Sequence, residues 1–135
     1  MENRTRIILF RIIMILYLIA VAYLCFANFN KLPQAPRMFL GIPTDKVVHF
    51  CMFFPFPILA FFAYDELTDT PLKAFGALIS ICAVGCIFAG LTEIVQGSLP
   101  YRYQDIKDFG ADCLAIGIAS LLVFIVDLSK MRKKS

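Results

Sequence analysis

Long apolar stretches alternate with short polar segments along the chain. Four of them stand out, at about residues 7–29, 46–64, 72–96 and 105–128. Each is close to the roughly 20 residues that a helix needs to cross a bilayer core about 30 Å thick. The pattern therefore predicts an all-α fold, a four-helix transmembrane bundle that forms a single domain over residues 1–135.

The first apolar stretch follows a basic N-terminus and superficially looks like a secretory signal peptide. It runs from Ile7 to Phe29, which is longer than a signal core, and no small-residue cleavage site follows it. We therefore interpret it as the first transmembrane helix. The next segment, residues 31–44, contains three prolines and one glycine, which predicts an extended or re-entrant connection.

The second helix contains two helix-breaking residues in its middle. Pro55 and Pro57 each remove a backbone donor, so we expect this helix to be kinked or locally unwound there. At its start, Thr44 is a candidate N-cap, and Asp45 lies where the helix dipole favours an anion.

Helices three and four carry small residues four positions apart, which predict close packing between helices. They are Gly76 with Ser80, Gly85 with Ala89, and the stripe Ala111, Ala115 and Ala119.

Composition agrees with a membrane protein. Hydrophobic residues make up 60% of the chain and the mean hydropathy is +0.78, whereas soluble domains are about 45–50% apolar. The net charge of +3 lies mostly near the termini, with no basic stripe of the kind that binds nucleic acid. The five cysteines include no CxxC pair, which argues against a disulfide framework or a zinc ribbon.

Lysine and arginine are distributed unequally between the two ends of the predicted bundle. Four spans place both termini on one side, and that side receives eight of the 13 basic residues, including the C-terminal segment KMRKK. By the positive-inside rule, we expect this side to face the cytoplasm.

Most of the remaining charge falls at the opposite, extracytoplasmic ends of helices two to four. Residues three or four apart share one helical face, and three such groups occur there. They are Asp45 with His49, Glu93 with Gln96, and Asp105 with Asp108 and Asp112; Lys46 and Arg102 lie beside them. Ionisable residues at the membrane boundary are costly, so this polar cluster is the predicted functional site.

The same residues carry a resemblance to a known family. The segment DKVVHF, then Glu93-x-x-Gln96, then Arg102-x-x-Asp105-x-x-Asp108 resembles the VanZ-like family of small bacterial membrane proteins, over about residues 44–120. The family usually has Asn at the position of Asp112 and Gly at that of Ala115. The resemblance implies a bacterial inner-membrane protein of the teicoplanin-resistance type, which acts at the outer leaflet on a lipid-linked envelope molecule or an acylated glycopeptide.

Within the cluster we distinguish two sets of candidates. The catalytic candidates are His49, Glu93, Asp105 and Asp108, which can serve as acid, base or ligands of a divalent metal. The substrate-binding candidates are Asp45, Lys46, Gln96, Arg102 and Asp112. A structural salt-bridge network among the same charges is the competing interpretation.

Three functional classes stay open from the sequence, and with them the question whether the protein is an enzyme. The first is action on a membrane lipid or a lipid-linked envelope precursor. The second is a membrane-embedded lipid-phosphate hydrolase or transferase, although no phosphatase signature is present. The third is a proton or cation path, disfavoured because the cluster does not continue along helices three and four before Asp127.

Overall fold

The computed structural model describes residues 2–31, 33, 36–64 and 69–134. The helices are α1 (Glu2–Phe26), α2 (Thr44–Phe53), α3 (Pro55–Ala63), α4 (Pro71–Ser98) and α5 (Ile106–Lys134), and two short strands, β1 (Met38–Phe39) and β2 (Ile42–Pro43), precede α2. Since α2 and α3 together make one span, the described residues contain four helical spans that are long and apolar enough to cross a membrane. The predicted all-α four-helix transmembrane bundle is confirmed.

The helices extend further than the apolar stretches alone predict. The first begins at Glu2 and ends at Phe26, and the last continues to Lys134. Lysine, arginine and glutamate are good helix formers, so a helix continues through the charged segments that leave the membrane. Residues 7 and 128 mark the outer limits of the first and last apolar stretches. The helix α1 begins before residue 7, and α5 continues beyond residue 128.

The predicted interruption of the second span lies at Phe54, between α2 and α3. Phe54 keeps helical dihedrals, with φ −57° and ψ −40°, so the break is local. Pro55 and Pro57 have no N–H to donate to the carbonyls four residues earlier. A neighbouring carbonyl, that of Met52, accepts a hydrogen bond from the Tyr17 hydroxyl at 2.6 Å, which ties α1 to the broken segment.

One of two expectations about the connection before α2 is wrong. The connection is extended over residues 38–43, as one alternative predicted, and forms an antiparallel hairpin in which Met38 pairs with Pro43. Its turn has positive φ at both Leu40 (51°) and Gly41 (79°), the geometry that matches the twist of a two-residue hairpin. Thr44 is the first residue of α2 and not its N-cap, because its hydroxyl donates to the Pro36 carbonyl.

Side-chain contacts define the two ends of the bundle. At one end, which we call the terminal end, Arg11 Nε donates to the Ala63 carbonyl at 3.3 Å and the Phe75 and Phe124 rings lie 6.3 Å apart. At the other end, the cluster end, α1 and α2 meet the hairpin between α4 and α5. The spans therefore alternate in direction, and Glu2 and Lys134 belong to the same end.

The core lies where α1, α2, α4 and α5 meet, around Phe53 and Ile116. Gly85 allows this approach, since an added Cβ would lie 3.0 Å from Ile116 and 3.1 Å from Phe56. Ala89, Ala115 and Ala119 are likewise fully buried.

The other predicted small-residue pair behaves differently. Nothing lies within 4 Å of a Cβ added at Gly76, and Ser80 is exposed. This pair therefore lies outside the helix contacts and its predicted packing role is wrong.

Candidate functional site

His49 lies at the centre of a polar cluster built from α2, α4 and α5. Its Nδ1 atom lies 3.0 Å from Asp112 Oδ1 and 3.9 Å from Glu93 Oε1. Its Nε2 atom lies 3.6 Å from Asp108 Oδ2. Both ring nitrogens therefore face carboxylates, as expected when a histidine is held in one orientation. The expectation that Glu93, Asp108 and His49 meet is confirmed.

Lys46, one turn before His49 on α2, is held by three further carboxylate contacts. Its Nζ atom lies 2.7 Å from Asp45 Oδ2 and 2.7 Å from Asp105 Oδ2, and it also donates to Asp108 Oδ1. An ammonium group has three N–H donors, so these contacts use all of them. Lys46 is thus saturated by protein ligands.

Asp105 connects the cluster to the start of α5. Its Oδ1 accepts a hydrogen bond from the Lys107 backbone N–H at 2.9 Å, which satisfies one of the free amides in the first turn. Its own backbone N–H donates to Glu93 Oε2 at 3.2 Å. The Lys46 ammonium holds the pKa of Asp105 below its ordinary value by hydrogen bonding. Asp105 therefore fixes the turn and anchors Lys46 together.

Buried oxygen atoms in the site lack hydrogen-bond partners. Among the described residues, no donor reaches Glu93 Oε1, Asp112 Oδ2 or Gln96 Oε1. These residues are 4%, 0% and 3% exposed, respectively. An unsatisfied buried acceptor costs about 1–3 kcal/mol, and more when it is charged. The cluster thus presents acceptors that its own side chains do not satisfy.

Negative charge exceeds positive charge in the cluster. Glu93, Asp112 and the three acids that contact Lys46 make five carboxylates, whereas the cations that face them are Lys46 and, when protonated, His49. Two positive charges against five negative ones leave the cluster with three negative charges that neither cation balances. Buried charges are normally paired or bound to a metal.

Arg102, a substrate-binding candidate that we expected in the cluster, lies against the C-terminus of α1. Its Nη2 atom donates to the carbonyls of Leu24 at 2.7 Å and Ala27 at 2.9 Å, and its guanidinium lies over the Phe29 ring. The predicted contact with the cluster is wrong, because the free carbonyls at a helix C-terminus attract a cation.

Two further side chains complete this cap. Gln96 Nε2 donates to the Cys25 carbonyl at 3.0 Å, and the Tyr101 hydroxyl donates to the Phe26 carbonyl at 2.6 Å. Tyr101 is not among the sequence-based candidates; its place in the turn at the membrane boundary, where tyrosine is enriched, is the signal for it. The α4–α5 hairpin thus satisfies the last carbonyls of α1, which have no partner within their own helix.

A crevice of about 520 Å³ opens beside the cluster, between α4 and the start of α5. Glu93 and Asp105 lie on its polar side, and Ile94, Ile106 and Phe109 supply its apolar lining. Ile94 and Ile106 are 62% and 82% exposed, so the apolar side continues onto the outer surface of the bundle.

Comparison with known proteins finds a relative in yeast. An uncharacterised protein of Schizosaccharomyces pombe is 33% identical over 122 residues, which is 90% of this chain. The chain spans 66% of that protein's length, just under two thirds. No protein family model matches, and no solved structure matches. The four apolar spans identify a multi-pass membrane protein.

Proposed function

We propose that this chain is a VanZ-like membrane protein that acts on the polar head of a lipid or lipid-linked molecule at the cluster end. One observation supports this most strongly. A histidine faces carboxylates from α4 and α5, and one of these, Glu93, also lines a crevice that opens between exposed apolar residues. Ionisable residues in such a place are usually functional.

The crevice suits an amphiphile. Its polar side, at Glu93 and Asp105, lies where α4 ends and α5 begins, and its apolar side includes Ile94 and Ile106. A polar head can reach the carboxylates while its hydrocarbon chain stays along α4 and α5. Ligand sites generally combine an apolar lining with a few convergent polar groups, as this one does.

The head group has to meet an acidic site. Lys46 is occupied by three carboxylates and Arg102 by the end of α1, so neither cation is free to hold a phosphate as the sequence suggested. Hydroxyl or amine groups can donate directly to the carboxylates. A phosphate would need a bound cation between it and the acids.

We further propose that both termini lie in the cytoplasm and that the cluster faces the outer leaflet, since the terminal end carries the excess of lysine and arginine. The resemblance to VanZ-like proteins supports the bacterial plasma membrane and action on a lipid-linked wall precursor or an acylated glycopeptide. The yeast relative supports a substrate that both kinds of organism contain, namely a membrane lipid head group.

The function is tested by expressing the wild type and the variants His49→Ala, Glu93→Gln and Asp108→Asn in a teicoplanin-sensitive bacterium. Asp69→Asn is the matched control, because Asp69 is exposed and pairs with Lys73 at the terminal end. At equal membrane levels, the wild type and Asp69→Asn should shift sensitivity to teicoplanin, and should affect vancomycin, which has no acyl chain, less. Identical behaviour of all five proteins would show that the cluster is structural.

The second candidate function is a lipid-phosphate hydrolase or transferase. The contact of His49 Nδ1 with Asp112 Oδ1 at 3.0 Å favours it, since a carboxylate that orients one ring nitrogen lets the other act as a general base. Nε2 lies 3.6 Å from Asp108 Oδ2, beyond hydrogen-bond distance. Purified protein should then release phosphate from a polyprenyl phosphate or from phosphatidic acid, and the two substrates separate a wall-precursor source from a phospholipid source. Binding of either lipid without phosphate release would support the first candidate alone.

A further inference from the structure

We propose that His49, Glu93 and Asp112 form a binding site for one divalent transition-metal ion, of which Zn²⁺ and Mn²⁺ are the representative probes. The inference rests on the proposed function in that it names the cofactor of the same site. It is tested by metal content, so its failure is distinguishable from a failure of the lipid-directed function.

The three side chains already lie at the spacing of metal ligands. One ligand atom from each falls within 4.8 Å of the others. His49 Nδ1 lies 3.0 Å from Asp112 Oδ1 and 3.9 Å from Glu93 Oε1. Two ligands that bind one tetrahedral zinc ion lie roughly 3.4 Å apart, so the observed distances fall on either side of that value. Binding requires only small side-chain movements.

The oxygen atoms without partners point to the same ion. Glu93 Oε1 and Asp112 Oδ2 are buried carboxylate oxygens with no donor among the described residues. Both residues are more than nine-tenths buried, at 4% and 0% exposed. A buried carboxylate oxygen without a donor is unfavourable, whereas a divalent ion would bind both carboxylates and add two positive charges to an acidic cluster.

A second group of acids in the cluster also has the spacing of metal ligands, but it already holds a cation. Asp45, Asp105 and Asp108 also lie within metal-ligand distance of one another. Their cation is already present, because Lys46 Nζ contacts all three. In the part of the chain that the structure describes, no lysine or arginine pairs with Glu93 or Asp112, which leaves the His49 group as the site for an added ion.

The mixed ligand set selects the class of ion. Imidazole nitrogen suits zinc and the other transition metals, whereas sites made only of oxygen suit Mg²⁺ and Ca²⁺. Three protein ligands with a fourth position open are typical of catalytic zinc. Asp108 Oδ2, 3.6 Å from His49 Nε2, occupies the place of the carboxylate that orients a metal-bound histidine. Asp108 is therefore a positioning residue, held in turn by Lys46.

The experiment uses the full chain purified in detergent without chelator. Metal content is measured for the wild type, Glu93→Gln and Asp112→Asn, and chelator-treated protein is then titrated with Zn²⁺ or Mn²⁺ alone while thermal unfolding is followed. Asp45→Asn is the matched control, because it removes a carboxylate that is 58% exposed and contacts only Lys46. Both Asn and Gln keep the size of the acid and remove its charge.

We expect about one metal equivalent in the wild type and in Asp45→Asn, with unfolding temperatures that rise on metal addition. The affinity of Glu93→Gln and Asp112→Asn should fall at least tenfold, about the loss that even removal of an outer-shell partner causes. Both substitutions keep the size of the side chain and lower the excess of buried negative charge, so both variants should elute as the wild type does. If one of these two variants fails to fold, the metal affinity of the other variant tests the proposal. A wild type that binds neither ion, or equal binding in all four proteins, would overturn the proposal.

Discussion

His49 and Asp112 lie 63 positions apart in the chain, yet the histidine Nδ1 and the carboxylate Oδ1 are 3.0 Å from each other. The contact joins α2 to α5 at a position where Asp112 is completely buried. A buried carboxylate needs a partner, and His49 supplies one for one of its two oxygens. The whole cluster is arranged around this contact, with Glu93 on the same side of the ring and Asp108 on the other.

Replacing Arg102 by Ala should destabilise the protein by about 1.5–3 kcal/mol, the usual range for hydrogen bonds to a charged group. The change leaves the carbonyls of Leu24 and Ala27 without their donor. The free energy of unfolding in detergent measures the loss. Arg37→Ala is the matched control, since the Arg37 side chain is exposed in the segment before β1. Equal stability of the two variants would refute a capping role for Arg102.

Lys46→Met should lower stability by an amount between that of exposed and buried ion pairs, about 1–3 kcal/mol. Lys46 is 17% exposed, and its removal leaves Asp108, 11% exposed, without its ammonium partner. Adding Asp108→Asn to this variant should recover part of the loss, because it removes the unpaired charge. Lys107→Ala, an exposed lysine on α5, should change little. Absence of any recovery in the double variant would contradict the charge-pair explanation.

Gly85→Ala should destabilise the bundle by about 1–3 kcal/mol, as overpacking of a filled core does. The added methyl group would lie 3.0 Å from Ile116 Cγ2 and 3.1 Å from the Phe56 ring, and both neighbours are buried. Gly76→Ala, on the same helix with nothing within 4 Å, should instead be neutral or stabilising by up to about 1 kcal/mol. Thermal unfolding of the two variants in the same detergent makes the comparison. A similar shift of the unfolding temperature in both variants would show that the core near Ile116 can accommodate an added methyl group.

Reporter fusions test the proposed orientation. An alkaline phosphatase fused after Ser135 should be inactive and a green fluorescent protein fused there should fluoresce, because the basic terminal end is expected to remain in the cytoplasm. A phosphatase fused within the hairpin turn at Gly41, on the opposite side of the bundle, should be active. The reversed pattern would place the polar cluster at the cytoplasmic surface.

Local sequence determined the spans and the grouping of the acids. Stretches of about 20 apolar residues have few alternatives to a transmembrane helix. Pro55 and Pro57 interrupt the second span at their own position, because neither has an N–H to donate to a helical hydrogen bond. A short turn between α4 and α5 makes the two helices antiparallel neighbours, so Glu93 and Asp108 were bound to approach each other. Helical spacing alone put Asp105 and Asp108 on a common face, where both contact Lys46, whereas the predicted pairing of Asp45 with His49 did not form: Asp45 is exposed and pairs with Lys46.

Tertiary structure decided which partner each charged group found. The position of α1 within the bundle is not encoded in any spacing. The free carbonyls at the end of α1 bind Gln96 and Arg102, two candidates predicted for the cluster, together with Tyr101. Whether Lys46 stays available to a ligand likewise depends on three carboxylates, those of its neighbour Asp45 and of Asp105 and Asp108 at the start of α5. Periodicity reports the face on which a residue lies, whereas its hydrogen-bond partner is fixed by packing between spans, where every buried polar group must be satisfied by whatever lies nearest.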